Sequence, residues 1–151
     1  FYSTKTYGND RGLSCAFRQW RSTHSHCSLI HGYSIGIKLI FECETLDERN
    51  WVMDFGGLKG FKQWAEHMFD HTLLIAEDDP WRTAFEALPE DTVALRIVPA
   101  VGCERFAEMA YNKMQEIIDA SIDDGTALNP TVRVKSVEVF EHGANSSIYE
   151  G

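Results

Sequence analysis

An α+β domain, with two long helices laid on one face of a mainly antiparallel four-stranded sheet, is the fold class the sequence predicts. Three stretches predict it. Apolar residues alternate through Tyr33, Ile35, Ile37, Leu39, Phe41 and Cys43, the period of two that a half-buried strand requires. Leu58, Phe61, Ala65, Met68 and Phe69 recur at spacings of three and four, and so do Phe106, Ala107, Ala110, Met114, Ile117 and Ile118, the mark of amphipathic helices.

In chain order, Leu13 to Arg21 reads as a first, weaker strand. A short His-rich connection joins it to the strand over Tyr33 to Thr45, and so short a link favours an antiparallel pair. The Gly56-Gly57 pair opens the first helix, Leu58 to Phe69, and Asp70-His71 follows at its end. A short helix is expected over Trp81 to Leu88, then a strand over Val93 to Val98 stopped by Pro99. The second long helix runs to Asp123-Asp-Gly. From Thr131 to Phe140, Val132 and Val134 share one parity and Val137 and Val139 the other, which places a bulge near Ser136. There is no internal repeat, low-complexity tract or linker, so residues 1–151 read as a single domain.

Composition excludes several function classes. Lys and Arg number 14 against 23 Asp and Glu, a formal net charge of -9, whereas binding to nucleic acid or an anionic membrane needs clustered cations. No apolar run approaches the ~20 residues that span a bilayer, and Phe1-Tyr-Ser-Thr-Lys lacks the regions of a secretory signal. Cys15, Cys27, Cys43 and Cys103 are irregularly spaced with no Cys-x-x-Cys pair, which reads as reduced thiols in a cytoplasmic protein.

Three groupings carry chemistry. His24, His26 and His31 lie within eight residues, with Cys27 among them. Neutral imidazoles are common zinc ligands, and the same residues also suit a solvated turn. Each cysteine is either a small buried hydrophobe or a reactive thiol. Asp70-His71 suggests a carboxylate orienting an imidazole for proton transfer, although neighbours on a regular element point apart and a polar helix end with a cation near its carbonyl terminus is the commoner explanation. Glu141 closes an apolar strand ahead of the turn-like His142-Gly143-Ala144-Asn145.

Trp20-Arg21-Ser22-Thr23-His24 follows a Phe-x-small-small-His pattern, and Cys27-Ser-Leu-Ile-His31-Gly32-Tyr33 follows Cys-x-x-x-His-Gly-His with one substitution. Asp54-Phe55-Gly-Gly-Leu58-Lys59, Phe69-Asp70-His71-Thr-Leu-Leu, Cys103-Glu104 and Val139-Phe140-Glu141 come after them in order. From about Leu13 to Tyr149 the chain thereby resembles the 6-pyruvoyltetrahydropterin synthase and 6-carboxytetrahydropterin synthase family, members of the tunnelling fold.

The resemblance implies a zinc-dependent lyase acting on 7,8-dihydroneopterin triphosphate to give a 6-carboxy- or 6-pyruvoyl-tetrahydropterin, the former on a route to queuosine-type deazapurines. It implies His24 and His31 as zinc ligands, Cys27 as general base, and Asp70 with His71 as proton-transfer pair. Glu141 would anchor the pterin and Glu104 would support that pocket. Tyr33 stands where the third ligand belongs, and His26 is the expected substitute. A second register, with Leu13-Ser-Cys-Ala-Phe17 as the first motif, puts Phe17 at a ligand position; the register ending at His24 keeps a histidine there. Family members close their sheets into a barrel by forming trimers, which often stack into hexamers, so a homotrimer or homohexamer with shared active sites is implied. The Tyr33 substitution also motivates an alternative, a paralogue that binds a pterin or purine without zinc chemistry.

Overall fold

The computed structural model describes residues 1–151. Its elements are β1 (Tyr2–Tyr7), β2 (Leu13–Phe17), β3 (His31–Glu42), α1 (Lys59–Phe69), β4 (Thr72–Ala76), α2 (Arg82–Glu86), β5 (Leu95–Val98), α3 (Cys103–Asp123), β6 (Arg133–His142) and β7 (Asn145–Glu150). The α+β class and the long helices follow the sequence expectation. The four-stranded antiparallel sheet does not: seven strands form one mixed sheet, in the order β5-β4-β2-β3-β6-β7 with β1 also on β3. The β2–β4 and β4–β5 pairs are parallel.

β3 is the organising strand. Tyr7 pairs with Ile37 and Leu13 with Ile35, so the chain between β1 and β2 spends five residues where β3 advances one. The excess folds into a 3-10 turn, Asn9–Arg11, released at Gly12 with φ 80. Asn9 fastens this excursion by donating to the carbonyls of Ser34 at 2.7 Å, Phe140 at 3.3 Å and Glu141 at 3.4 Å. Gly36 lies beneath it, where a Cβ would come 3.2 Å from the Tyr7 carbonyl oxygen and 3.3 Å from the Asn9 nitrogen, a tight approach. Across the other edge of β3, Ile40 faces Ser136 and Phe41 faces Val134. Lys135 is therefore the extra residue of a bulge, beside the expected position.

β4 explains why the sheet is larger than the sequence predicts. All five residues Thr72–Ala76 are buried, so the strand carries no alternation, as is usual where a parallel strand is covered on both faces. The inward sides of α1 (Phe61, Ala65, Phe69) and α3 (Phe106, Ala110, Met114) close over Ile35, Ile37, Leu39, Val137 and Val139 in one contiguous core. No helix is long and apolar enough to cross a membrane.

Candidate active site

β2, the strand expected over Leu13 to Arg21, ends at Phe17, so the Trp20 to His24 motif lies beyond it. Phe17 pairs with His31 and Cys15 with Tyr33, which brings three rings together at the end of the β2–β3 ladder. Phe17 and His31 have centroids 5.3 Å apart, His31 meets Tyr33 edge-on at 5.4 Å, and Phe17 lies 6.0 Å from Tyr33. Phe106 of α3 packs beneath at 5.1 Å and His142 flanks Tyr33 at 6.4 Å. His24 sits on an exposed loop. His26 and Cys27 belong to an exposed 3-10 turn, His26–Ser28, capped where the Cys27 N–H donates to Ser25 Oγ at 3.1 Å.

These placements decide how the residues suit zinc. His31 Nδ1 lies 2.7 Å from the Leu29 carbonyl oxygen; donation there leaves Nε2 with a free lone pair, the outer-sphere arrangement of a metal-binding imidazole. No three His, Cys, Asp or Glu side chains are grouped to hold a metal. The side chains packed around His31 are a hydrocarbon ring and a phenol, poor donors for zinc. Within one chain His24 and His26 are not grouped with His31, and the side chains that do pack against His31 do not complete a three-histidine zinc centre.

What does converge is a cluster of polar side chains beside Tyr33. Cys103, the first residue of α3, aims its Sγ at Glu141 Oε1 at 3.6 Å. Burial, with the adjacent Glu141 carboxylate, pushes the Cys103 thiol up to about 12, so it stays protonated and donates to the carboxylate. Burial also raises the Tyr33 phenol, with further contributions from Glu141, Cys27 and Cys103. The backbone of Glu141 is held from behind by Asn9. Gly102 makes the turn into α3 at φ 123, and a Cβ there would lie 2.6 Å from Gln19 Nε2. Glu104 is exposed one residue further on, and its charge acts on the Cys103 thiol.

The loop that carries Cys27 is tied down at its base. Arg18 donates to both oxygens of Asp79, at 2.8 and 3.1 Å, and to the Ser28 carbonyl at 3.2 Å. Asp79 is fully buried and also accepts the Trp81 N–H at 2.8 Å. Further out, Trp20 and Arg21 both donate to Asp78, at 3.2 and 2.7 Å, and hold its carboxyl below the usual range. The Gln19 N–H closes the loop onto the Cys27 carbonyl at 2.8 Å. Sequence reasoning missed this clamp and the Phe17–Tyr33 contact; Glu77-Asp-Asp-Pro was its only visible trace.

Asp70 and His71 form a pair elsewhere. His71 adopts φ 57, which breaks the regular direction of the chain and turns its ring back, so that Nδ1 meets Asp70 Oδ1 at 2.5 Å. The neighbours thus do not point apart as they would on a regular element. The His71 side chain is 85% exposed and lies beside Thr72 and Glu90 through Ala94, away from Tyr33 and Glu141.

A family model described as 6-pyruvoyl tetrahydropterin synthase matches residues 9–151. The chain belongs to that family. It is a tetrahydropterin synthase-like enzyme. A 6-carboxy-5,6,7,8-tetrahydropterin synthase of Aquifex aeolicus is 24% identical to this synthase-family chain over 127 residues, covering 82% of the chain and 75% of the relative. Among solved structures, an uncharacterised protein of Wolinella succinogenes matches with a TM-score of 0.79 at 17% identity, covering 100% of this chain and 98% of the other. The 6-pyruvoyl tetrahydropterin synthase of Plasmodium falciparum matches at 0.68 and 14%, covering 99% and 98%. At these identities the solved structures establish the shared fold.

Proposed function

We propose that this chain converts a dihydropterin, taking 7,8-dihydroneopterin triphosphate to a 6-carboxy- or 6-pyruvoyl-tetrahydropterin. The observation that carries the reading is Glu141: its carboxylate receives the Cys103 thiol at 3.6 Å, and the next residue, His142, flanks the Tyr33 ring at 6.4 Å. A carboxylate fixed in this way accepts two parallel hydrogen bonds from the 2-amino and ring N–H groups of a pterin. Cys27 is the exposed thiol of the chain and serves as the base that takes a proton from a side-chain carbon. Glu104 supports the same pocket.

Asp70 and His71 serve as the proton-transfer pair, entering the pocket of a neighbouring copy. β1 is bonded only to β3 and β7 only to β6, and open edges of this kind invite pairing with another chain. We assign them to a barrel-forming trimer or hexamer. Zinc chemistry would draw on His24, His26 and His31, which are not grouped within one chain.

Turnover of 7,8-dihydroneopterin triphosphate tests the reading. Cys27→Ala abolishes turnover and leaves pterin binding intact, whereas Glu141→Gln weakens binding by about tenfold or more. Equal turnover by wild type and Cys27→Ala would sink the proposed base. A second reading, a pterin- or purine-binding paralogue without zinc chemistry, is favoured by the Phe17–His31–Tyr33 cluster. It predicts tight binding of neopterin, no turnover, and no zinc in protein expressed with the metal supplied.

A further inference from the structure

Four of the chain's cations meet in a single cleft. Lys5 and Tyr7 of β1, Arg11 of the 3-10 turn, and Lys59 and Lys62 of α1 line a cavity of about 230 Å3 together with Phe55, and its remaining lining is uncharged. The chain carries 14 cations against 23 acids, yet no acid lines this cleft. Lys5, Arg11 and Lys59 have no carboxylate within 4.0 Å, and Lys62 reaches only Glu66, at 4.0 Å along its own helix. The Tyr7 ring packs against Phe61 at 6.0 Å and lies 5.6 Å from the Lys5 ammonium. Tyr7 thus forms a rigid wall against which the cations gather.

Unpaired like charges repel, and a cleft of one sign concentrates its field on a counter-charge. An acidic chain that keeps four cations together without acids has there an arrangement that an anion completes. The cavity falls below the roughly 300–1,000 Å3 of pockets that enclose a drug-sized ligand, which suits a short oxyanion chain and not a whole heterocycle. Arg11 offers a planar fork of donors and the three lysines offer point charges, the mixture that phosphate oxygens accept. The cleft shares no residue with the side-chain cluster of Tyr33, Cys103 and Glu141. Its β1 residues pair with Leu39 and Ile37, further along β3 than Tyr33.

We propose that this cleft is an oxyanion site for the phosphate chain of a small phosphorylated molecule, a di- or triphosphate. The phosphate chain comes either from a substrate tail or from free oligophosphate; only the first source rests on the pterin reading.

Calorimetric titration of the full chain with inorganic triphosphate tests the site. Binding is expected in wild type and in the control Lys113→Ser, and is weaker at physiological than at low salt. In Arg11→Ser/Lys59→Ser it falls by about tenfold or more, while circular dichroism verifies the fold. Absence of binding in wild type, or equal binding by the double variant, overturns the proposal. If the variant also raises KM for the triphosphorylated dihydropterin and leaves neopterin affinity unchanged, the occupant is the substrate tail. An unchanged KM with lost triphosphate binding assigns the cleft to free oligophosphate. Triphosphate binding by a chain that ignores neopterin retains this site and removes the pterin reading alone.

Discussion

Replacing Arg18 with methionine strips the guanidinium from Asp79 while keeping most of the apolar stem. Asp79 has a fully buried side chain and receives two of its hydrogen bonds, at 2.8 and 3.1 Å, from Arg18. After the change only the Trp81 N–H at 2.8 Å remains to it. Breaking a buried pair by removing one partner costs about 3–5 kcal/mol, because the remaining charge stays desolvated. A domain of this size has about 5–15 kcal/mol in total, so the loss is a large share of it. Urea denaturation reads it as a lower midpoint with unchanged slope. Arg18→Met/Asp79→Asn should recover part of the loss, since a neutral amide removes the stranded charge and still accepts the Trp81 N–H. The same arginine holds the Ser28 carbonyl at 3.2 Å, so the single variant also loosens the turn bearing Cys27. A loss below about 1 kcal/mol, the scale of an exposed pair, would refute the reasoning.

Cys27 is exposed and Cys15, Cys43 and Cys103 are buried, so a thiol reagent at pH 8 should label one cysteine fast in the native chain and four in urea; mass mapping identifies Cys27. Burial pushes both Cys15 and Cys103 up to about 12, with Glu141 adding to the second. The folded state therefore keeps protons that the unfolded state releases from about pH 9 upward. The resulting stability is fully present below that pH and lost towards 12, at about 1.4 kcal/mol per pH unit for each thiol; Cys103→Ala should make the slope of stability against alkaline pH shallower. Asn129, buried, donates to the carbonyls of Thr45, Trp51 and Val52 and accepts from Thr131. Asn129→Ala should cost at least about 1–3 kcal/mol by thermal or urea melts, because buried carbonyls lose their donor.

Legibility in the sequence tracked how unevenly each element is exposed. β3, α1 and α3 present one wet and one dry side, so their periods stand out. β4 is dry on both sides and left no period. β1 was unreadable as a strand for another reason: Tyr2, Thr4 and Thr6 are exposed while Ser3 and Lys5 are half-buried, so its alternation is one of burial without one of polarity. In the site, Glu141 and the Asp70-His71 pair could be singled out because their residue types carry chemistry. Phe17 and Cys103 surfaced only through motif resemblance, since a buried aromatic and a buried thiol look like core. Their part in the site comes from register, Phe17 opposite His31 and Cys103 beside Glu141, which no local pattern encodes.

The register also says how to recover a metal centre if the fold is built for one. Phe17, His31 and Tyr33 project together from paired positions on β2 and β3, and only His31 is a zinc ligand by chemistry. Tyr33→His alone supplies two imidazoles beside a buried phenyl ring, short of the three protein ligands that a catalytic zinc site uses. Phe17→His alone likewise supplies two and gives up part of the packing with Phe106. The double variant supplies three on one face, with His31 already oriented by the Leu29 carbonyl at 2.7 Å. Metal analysis after zinc-supplemented expression and dialysis should find about one zinc per chain in the double variant and little in wild type or either single variant. A full complement of zinc in wild type that survives Phe17→Ala but not His24→Ala would overturn this assignment and place the ligand at the loop position. Phe17 occupies the side of His31 from which a ligand on β2 would approach, which is why the added histidine is placed there and not on the loop.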